Sequence, residues 1–111
     1  MIIRNFKSLS THPEEKDALS IIETGLEAAL PEKQLEKIIY RDHLVAFGKK
    51  TNFEKYHDVF VIAIGKAAYS MAESVDSLTS IKGGLLVVPQ KTRTTLNGKF
   101  RVMQAGHPLP N

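Results

Sequence analysis

The fold turns on the stretch Val59-Phe-Val-Ile-Ala-Ile-Gly-Lys-Ala-Ala-Tyr-Ser-Met71. Residues 59–64 are an unbroken apolar run, rich in β-branched side chains, with nothing polar on either alternating face. A run of that kind reads as a strand of a parallel sheet, buried on both sides. Gly65 ends it. Residues 66–78, KAAYSMAESVDSL, then place Ala67, Met71, Val75 and Leu78 at helical spacing and predict a helix. Gly83-Gly84 punctuate before a second wholly apolar run, LLVV at 85–88, stopped by Pro89. A polar turn through Asn97-Gly98 leads to FRVMQA at 100–105, a shorter third strand. Strand, helix, strand with buried strands predicts an α/β layer built on a right-handed crossover.

Upstream, Thr11-His12-Pro13-Glu14 fits a capping box, in which Thr11 accepts from a first-turn amide and Glu14 reaches back. Proline is tolerated there because first-turn amides have no partner inside the helix. Glu14, Glu15 and Asp17 follow where the helix dipole favours acids. Ala18, Leu19, Ile22, Leu26 and Ala29 then form one apolar helical face. Pro31 stops this helix and starts a second, with Leu35, Ile38 and Ile39 facing the core. Residues 47–58, FGKKTNFEKYHD, are polar and contain a glycine, which reads as loop. The expected order is two N-terminal helices followed by β-α-β-β, one α/β domain with a mostly parallel sheet. No internal repeat or low-complexity tract interrupts it.

Composition narrows the functional classes. A chain of 111 residues is about one small domain, able to bury a single core. The net charge of +3 is spread thinly, with Lys49-Lys50 the only adjacent basic pair, so no nucleic-acid surface is indicated. Without cysteine there is neither a disulfide framework nor a thiolate metal site. No apolar run approaches the roughly 20 residues of a membrane span. The N-terminus lacks a sustained apolar signal-peptide core. A cytoplasmic protein without membrane or nucleic-acid partners is the expectation.

Lys66 is the residue that asks for chemistry. After a parallel strand, the first amides of the next helix face the crevice above the sheet and favour an anion. A lysine there adds positive charge where the dipole is already positive, costing roughly 0.3–1 kcal/mol unless a phosphate or carboxylate compensates. The competing reading is a solvated lysine screened by salt. Gly65-Lys66 is not a P-loop, since GxxxxGK[ST] is absent, and no dinucleotide GxGxxG occurs. His107, held between Gly106 and Pro108, could donate to an anionic oxygen or move a proton. A loop histidine satisfied by a backbone carbonyl is equally compatible with that sequence. His12, His43 and His57 have no metal-like spacing, and Thr92, Arg93, Thr94 and Thr95 read as a solvated polar turn.

The chain given closes on AGHPLPN, just past the third strand, where ligands of open α/β sheets bind. In order and spacing, ALSIIETGLEAALPEKQLEKII, VFVIAIGKAAYSMAESV, GGLLVVP and QAGHPLPN resemble the N-terminal part of the glycerate 2-kinases that carry a MOFRL-type C-terminal domain. The resemblance runs from about Asp17 to Asn111. It implies an incomplete Rossmann-like, three-layer domain over 1–111, with the C-terminal domain absent. It also implies transfer of the γ-phosphoryl group of ATP to D-glycerate, giving 2-phosphoglycerate, with Mg²⁺ as the metal. On that basis Lys66 is the expected catalytic residue. Gly65, Lys66, Ala67, Gly106, His107 and Pro108 are the expected substrate or phosphate contacts, and no metal ligand is assigned. The family pattern has a glycine where Ala63 stands here.

Most nucleotide and metal residues are expected outside these residues, so the 111-residue chain alone is expected to be inactive. Two other readings stay open: a hydroxypyruvate reductase, disfavoured by the missing GxGxxG, and a non-catalytic α/β anion-binding or assembly module. In the latter, an exposed sheet edge would promote self-association.

Overall fold

The computed structural model describes residues 1–92, 98–106 and 109. The first elements are helices α1 (Phe6–Leu9) and α2 (Pro13–Ala28). Pro13 is the first helical residue of α2, so the third is Glu15, and Glu15 closes the cap rather than Glu14. Its carboxylate accepts from the Thr11 hydroxyl (2.6 Å), the Thr11 amide (2.9 Å) and the His12 amide (3.1 Å). The box expected from Thr11 therefore closes one residue further on. Helix α3 (Pro31–Leu35) is shorter than its apolar spacing suggests.

From there the chain enters an antiparallel meander, β1 (Ile39–Tyr40), β2 (His43–Ala46) and β3 (Lys49–Asn52). Ala46 pairs with Lys49 across a two-residue turn whose members, Phe47 and Gly48, have φ of 52° and 73°. Positive φ at both positions is what a tight hairpin requires. This corrects the reading of 47–58 as loop throughout. Strand β3 is the polar stretch KKTN, with no apolar alternation to reveal it.

Strands β4 (Phe60–Ile64), β5 (Gly83–Pro89) and β6 (Phe100–Ala105) form a wholly parallel sheet in the order β4-β5-β6, with α4 (Ala68–Leu78) between β4 and β5. With its N-terminal helices, this is the expected incomplete Rossmann-like α/β arrangement. Helix α4 covers one face. Ala68, Ala72, Ile81, Leu86, Val88 and Phe100 form the core there, joined by the half-buried Val61, Ala63 and Val75. The buried face of α4 is one position on from the expected one, because Ala68 and Ala72 let the helix lie close against the sheet while Met71 stays 41% exposed. Backbones also approach closely at Gly84, where a Cβ would strike the Val61 carbonyl and come within 2.7 Å of the Phe100 ring.

Candidate functional site

The candidate site lies at the carboxyl ends of the three parallel strands. Strand β4 hands over to α4 through Gly65, Lys66 and Ala67. Gly65 has φ +113°, a conformation that L side chains rarely adopt, and this lets the chain leave the sheet sharply. Its amide still donates to the Val87 carbonyl (2.9 Å), so the turn is pinned to the central strand. The Ala68 amide donates to the Gly65 carbonyl (3.2 Å), and Ala67 caps the helix.

Lys66, expected to open the helix, therefore stands two residues before its observed start at Ala68, at the mouth of the helix dipole. No acid occupies the first turn of α4. Among the described residues, the exposed Lys66 ammonium has no ion-pair or hydrogen-bond partner, and the Lys66 and Ala67 amides have none either. By contrast, Lys82 and Lys99 are paired with Asp58 (3.1 Å) and Asp76 (3.0 Å).

A cleft of about 150 Å³ is lined by Ile64, Gly65, Lys66, Val87, Pro89, Ala105 and Gly106. Two sequence-predicted contacts some forty residues apart, the Gly65-Lys66 turn and Gly106, thus meet at one place. Ala67 is exposed beside it. His107 and Pro108 lie outside the described residues, as do Arg93, Thr94 and Thr95. Thr92 caps its own turn by donating to the Pro89 carbonyl (2.6 Å). Ala63, where the family pattern has glycine, packs toward α4 with the core.

Its scale suits a small anion. Sites that enclose a nucleotide-sized ligand run to about 300–1,000 Å³. No group of three or more His, Asp or Glu among the described residues is arranged to hold a metal ion. A phosphoryl or carboxylate group is the size of ligand that a cleft of this volume could take.

A larger hollow, about 430 Å³, opens at the other end of the sheet, lined by Arg41, Asp42, Tyr56, His57, Asp58 and Lys82 among others. Asp42, Glu54 and Asp58 face it together with Arg41 and Lys82, and it lies by the amino ends of β4 and β5, away from the end where ligands of open α/β sheets bind. Asp42 there is bound to His43 Nδ1 at 2.6 Å, which holds its carboxyl below the usual range, and the His43 ring stacks on Tyr40. These contacts tie the meander together. Asp42 and His43 are neighbours in the chain, whereas the Tyr40–His43 stacking follows from the β1-β2 register that sets the two opposite each other. No helix among the described residues is long and apolar enough to cross a membrane.

Comparison with known proteins follows the same line. Residues 17–111 match a family described as a domain of unknown function (DUF4147). The chain is 34% identical over 70 residues to the glycerate 2-kinase of Pyrococcus horikoshii, covering 63% of this chain and 15% of that relative. It also superposes on the crystal structure of the PH0495 protein from Pyrococcus horikoshii OT3 with a TM-score of 0.74 and 25% identity. That match covers 91% of this chain and 23% of the other. The chain therefore spans under a quarter of the length of either relative. The resemblance to glycerate 2-kinases carried by the GKA turn and the AGHP loop is upheld.

Proposed function

This chain belongs to the DUF4147 family, and from that membership we propose that it supplies the substrate-phosphate side of a glycerate 2-kinase active site. The observation that carries the reading is the cleft in which Lys66, without a partner among the described residues, meets Gly65 and Gly106 just ahead of α4. Phosphoryl transfer needs little beyond positioning and charge stabilisation. The Lys66 ammonium and the amides of Lys66 and Ala67 supply both for an oxyanion of D-glycerate or of the transferring phosphoryl group. In the reaction the C2 hydroxyl oxygen of glycerate bonds to the γ-phosphorus of ATP. The bond from that phosphorus to the ADP oxygen breaks, and the hydroxyl proton leaves to a base. His107, next in the sequence to Gly106, is our candidate to donate to a substrate oxygen. ATP and Mg²⁺ are held chiefly by the part of the family's longer chains outside the matched region, so residues 1–111 alone turn over no substrate.

Two measurements test this. A longer protein carrying residues 1–111 together with the remainder of a family chain should convert D-glycerate and ATP to 2-phosphoglycerate. Lys66→Ala should lower kcat/KM by about 10²–10³-fold, the usual effect of removing one charge-stabilising donor, with the melting temperature unchanged. In the 111-residue chain, titration with 2-phosphoglycerate should shift the amide resonances of Gly65, Lys66 and Gly106, and Lys66→Ala should abolish the shifts. Reduction of hydroxypyruvate by a nicotinamide cofactor, or anion binding indifferent to Lys66, would overturn the proposal.

A further inference from the structure

After Asp76 the sequence contains no Asp or Glu, yet it carries Lys82, Lys91, Arg93, Lys99 and Arg101. The fold separates the lysines by sheet end. Lys82 and Lys99 stand just before β5 and β6, at the amino ends, and each meets a carboxylate brought from elsewhere, Asp58 and Asp76. Lys91 stands two residues past Pro89, the last residue of β5, at the opposite end. That is the end with the Lys66 cleft. Among the described residues lining this cleft, Lys66 carries the only charge.

The turn that carries Lys91 is pinned to the rim of the cleft. The Gln90 amide donates to the Ala105 carbonyl (3.1 Å), and the Thr92 amide (3.2 Å) and hydroxyl (2.6 Å) both donate to the Pro89 carbonyl. Pro89 and Ala105 are themselves part of the cleft wall. A turn closed from its first residue to its fourth, with positive φ at the third, is a place for glycine or asparagine. Here the third residue is Lys91, at φ +66°. A side chain in that region crowds the following carbonyl oxygen, and strain of this kind gathers at ligand clamps. The flexible four-carbon stem lets the ammonium search the space beside the turn.

Charge selects the ligand. One cation matches a carboxylate. A phosphate monoester carries about −1.5 to −2 near pH 7 and presents three acceptor oxygens, which a second cation would serve. We propose that Lys91 is the second cation of the Lys66 cleft and makes it prefer a phosphate monoester to the corresponding unphosphorylated hydroxy acid. The inference rests on the reading of Lys66 as an anion site and deepens it: Lys66 meets either anion, and Lys91 meets the additional charge of the phosphate. Glycine would suit the backbone of this turn better than lysine does, so binding and stability should part company when Lys91 is replaced.

The test follows the amide resonances of Gly65 and Gly106 in the 111-residue chain as 2-phosphoglycerate, inorganic phosphate or D-glycerate is added. The unaltered chain should bind the two phosphates more tightly than D-glycerate. Lys91→Gln, which removes the charge and keeps the length, should weaken both phosphates about tenfold, the order of one charge-assisted hydrogen bond, and leave D-glycerate nearly unchanged. Lys91→Gly should weaken the phosphates equally while keeping or raising the melting temperature, and Lys91→Arg should retain the preference. Lys66→Ala should weaken all three ligands. Phosphate binding indifferent to Lys91→Gln, an equal loss for D-glycerate, or a lower melting temperature in Lys91→Gly would overturn the proposal and leave the reading of Lys66 in place. An unaltered chain that binds none of the three ligands would overturn both.

Discussion

Gly65 and Lys66 divide the work of the strand-to-helix turn between conformation and charge. A Cβ at Gly65 would meet nothing within 4 Å, so the cost of Gly65→Ala is the backbone term alone. At φ +113° that term is about 1–3 kcal/mol, and the expected outcome is a lower melting temperature together with weakened anion binding. The unusual lysine was legible in the sequence from its position after an apolar strand. That its ammonium lacks a partner among the described residues was not, because pairing depends on which distant acids the fold brings near. Glu15 offers a separate test. The Thr11 hydroxyl, with help from the His12 and Thr11 amides, holds its carboxyl below the ordinary 4.5. A depressed folded value means that the cap contributes above the unfolded value and that this contribution is lost as pH falls through the folded one. Helicity at the start of α2 should therefore persist at pH 5 and fray on acidification below the ordinary 4.5. Glu15→Gln should remove the pH dependence, as followed by amide exchange at Thr11 and His12.

Helices and strands were readable where the apolar period was strong. The limits of β4, β5 and β6 fall within one or two residues of the runs that announced them. Where the reading failed, no such period exists: KKTN pairs into β3 through backbone bonds and a Phe47-Gly48 turn rather than through an apolar face. The inward face of α4 was misplaced because Ala67, Ala68, Met71 and Ala72 are all apolar, and only contact with the sheet chooses among them. Ala72 is fully buried. Ala72→Leu should force α4 off the sheet at about 1–3 kcal/mol, the usual cost of overpacking, measurable by chemical denaturation. The N-terminal segment is held by α2: the Glu23 carboxylate, 8% exposed, accepts from the Ile2 and Ile3 amides. Glu23→Ala should release residues 1–3 to rapid amide exchange, with a loss of about 1–3 kcal/mol for hydrogen bonds to a charged group.

The whole molecule is open for its length. Its radius of gyration is 17.7 Å, against about 13 Å for a compact chain of this size, and Ile21, Ile22 and Leu26 of α2 are exposed along with Phe60, Ile62 and Ile64 of β4. The core against α4 is correspondingly small, with Leu86 and Val88 its largest fully buried side chains. Leu86→Ala, at about 2–5 kcal/mol, removes a large share of the 5–15 kcal/mol typical of a domain, and should abolish cooperative thermal unfolding in the 111-residue chain. The strand and helix pattern, the parallel α/β class and the family were contained in the sequence, because apolar periodicity and short motifs are local properties of the chain. The meeting of the Gly65-Lys66 turn with Gly106, the want of a partner for the lysine among the described residues and the exposure of Phe60, Ile62 and Ile64 opposite α4 came only with the fold. Each is a relation between residues far apart in the chain, set by strand order and by which face the helix covers.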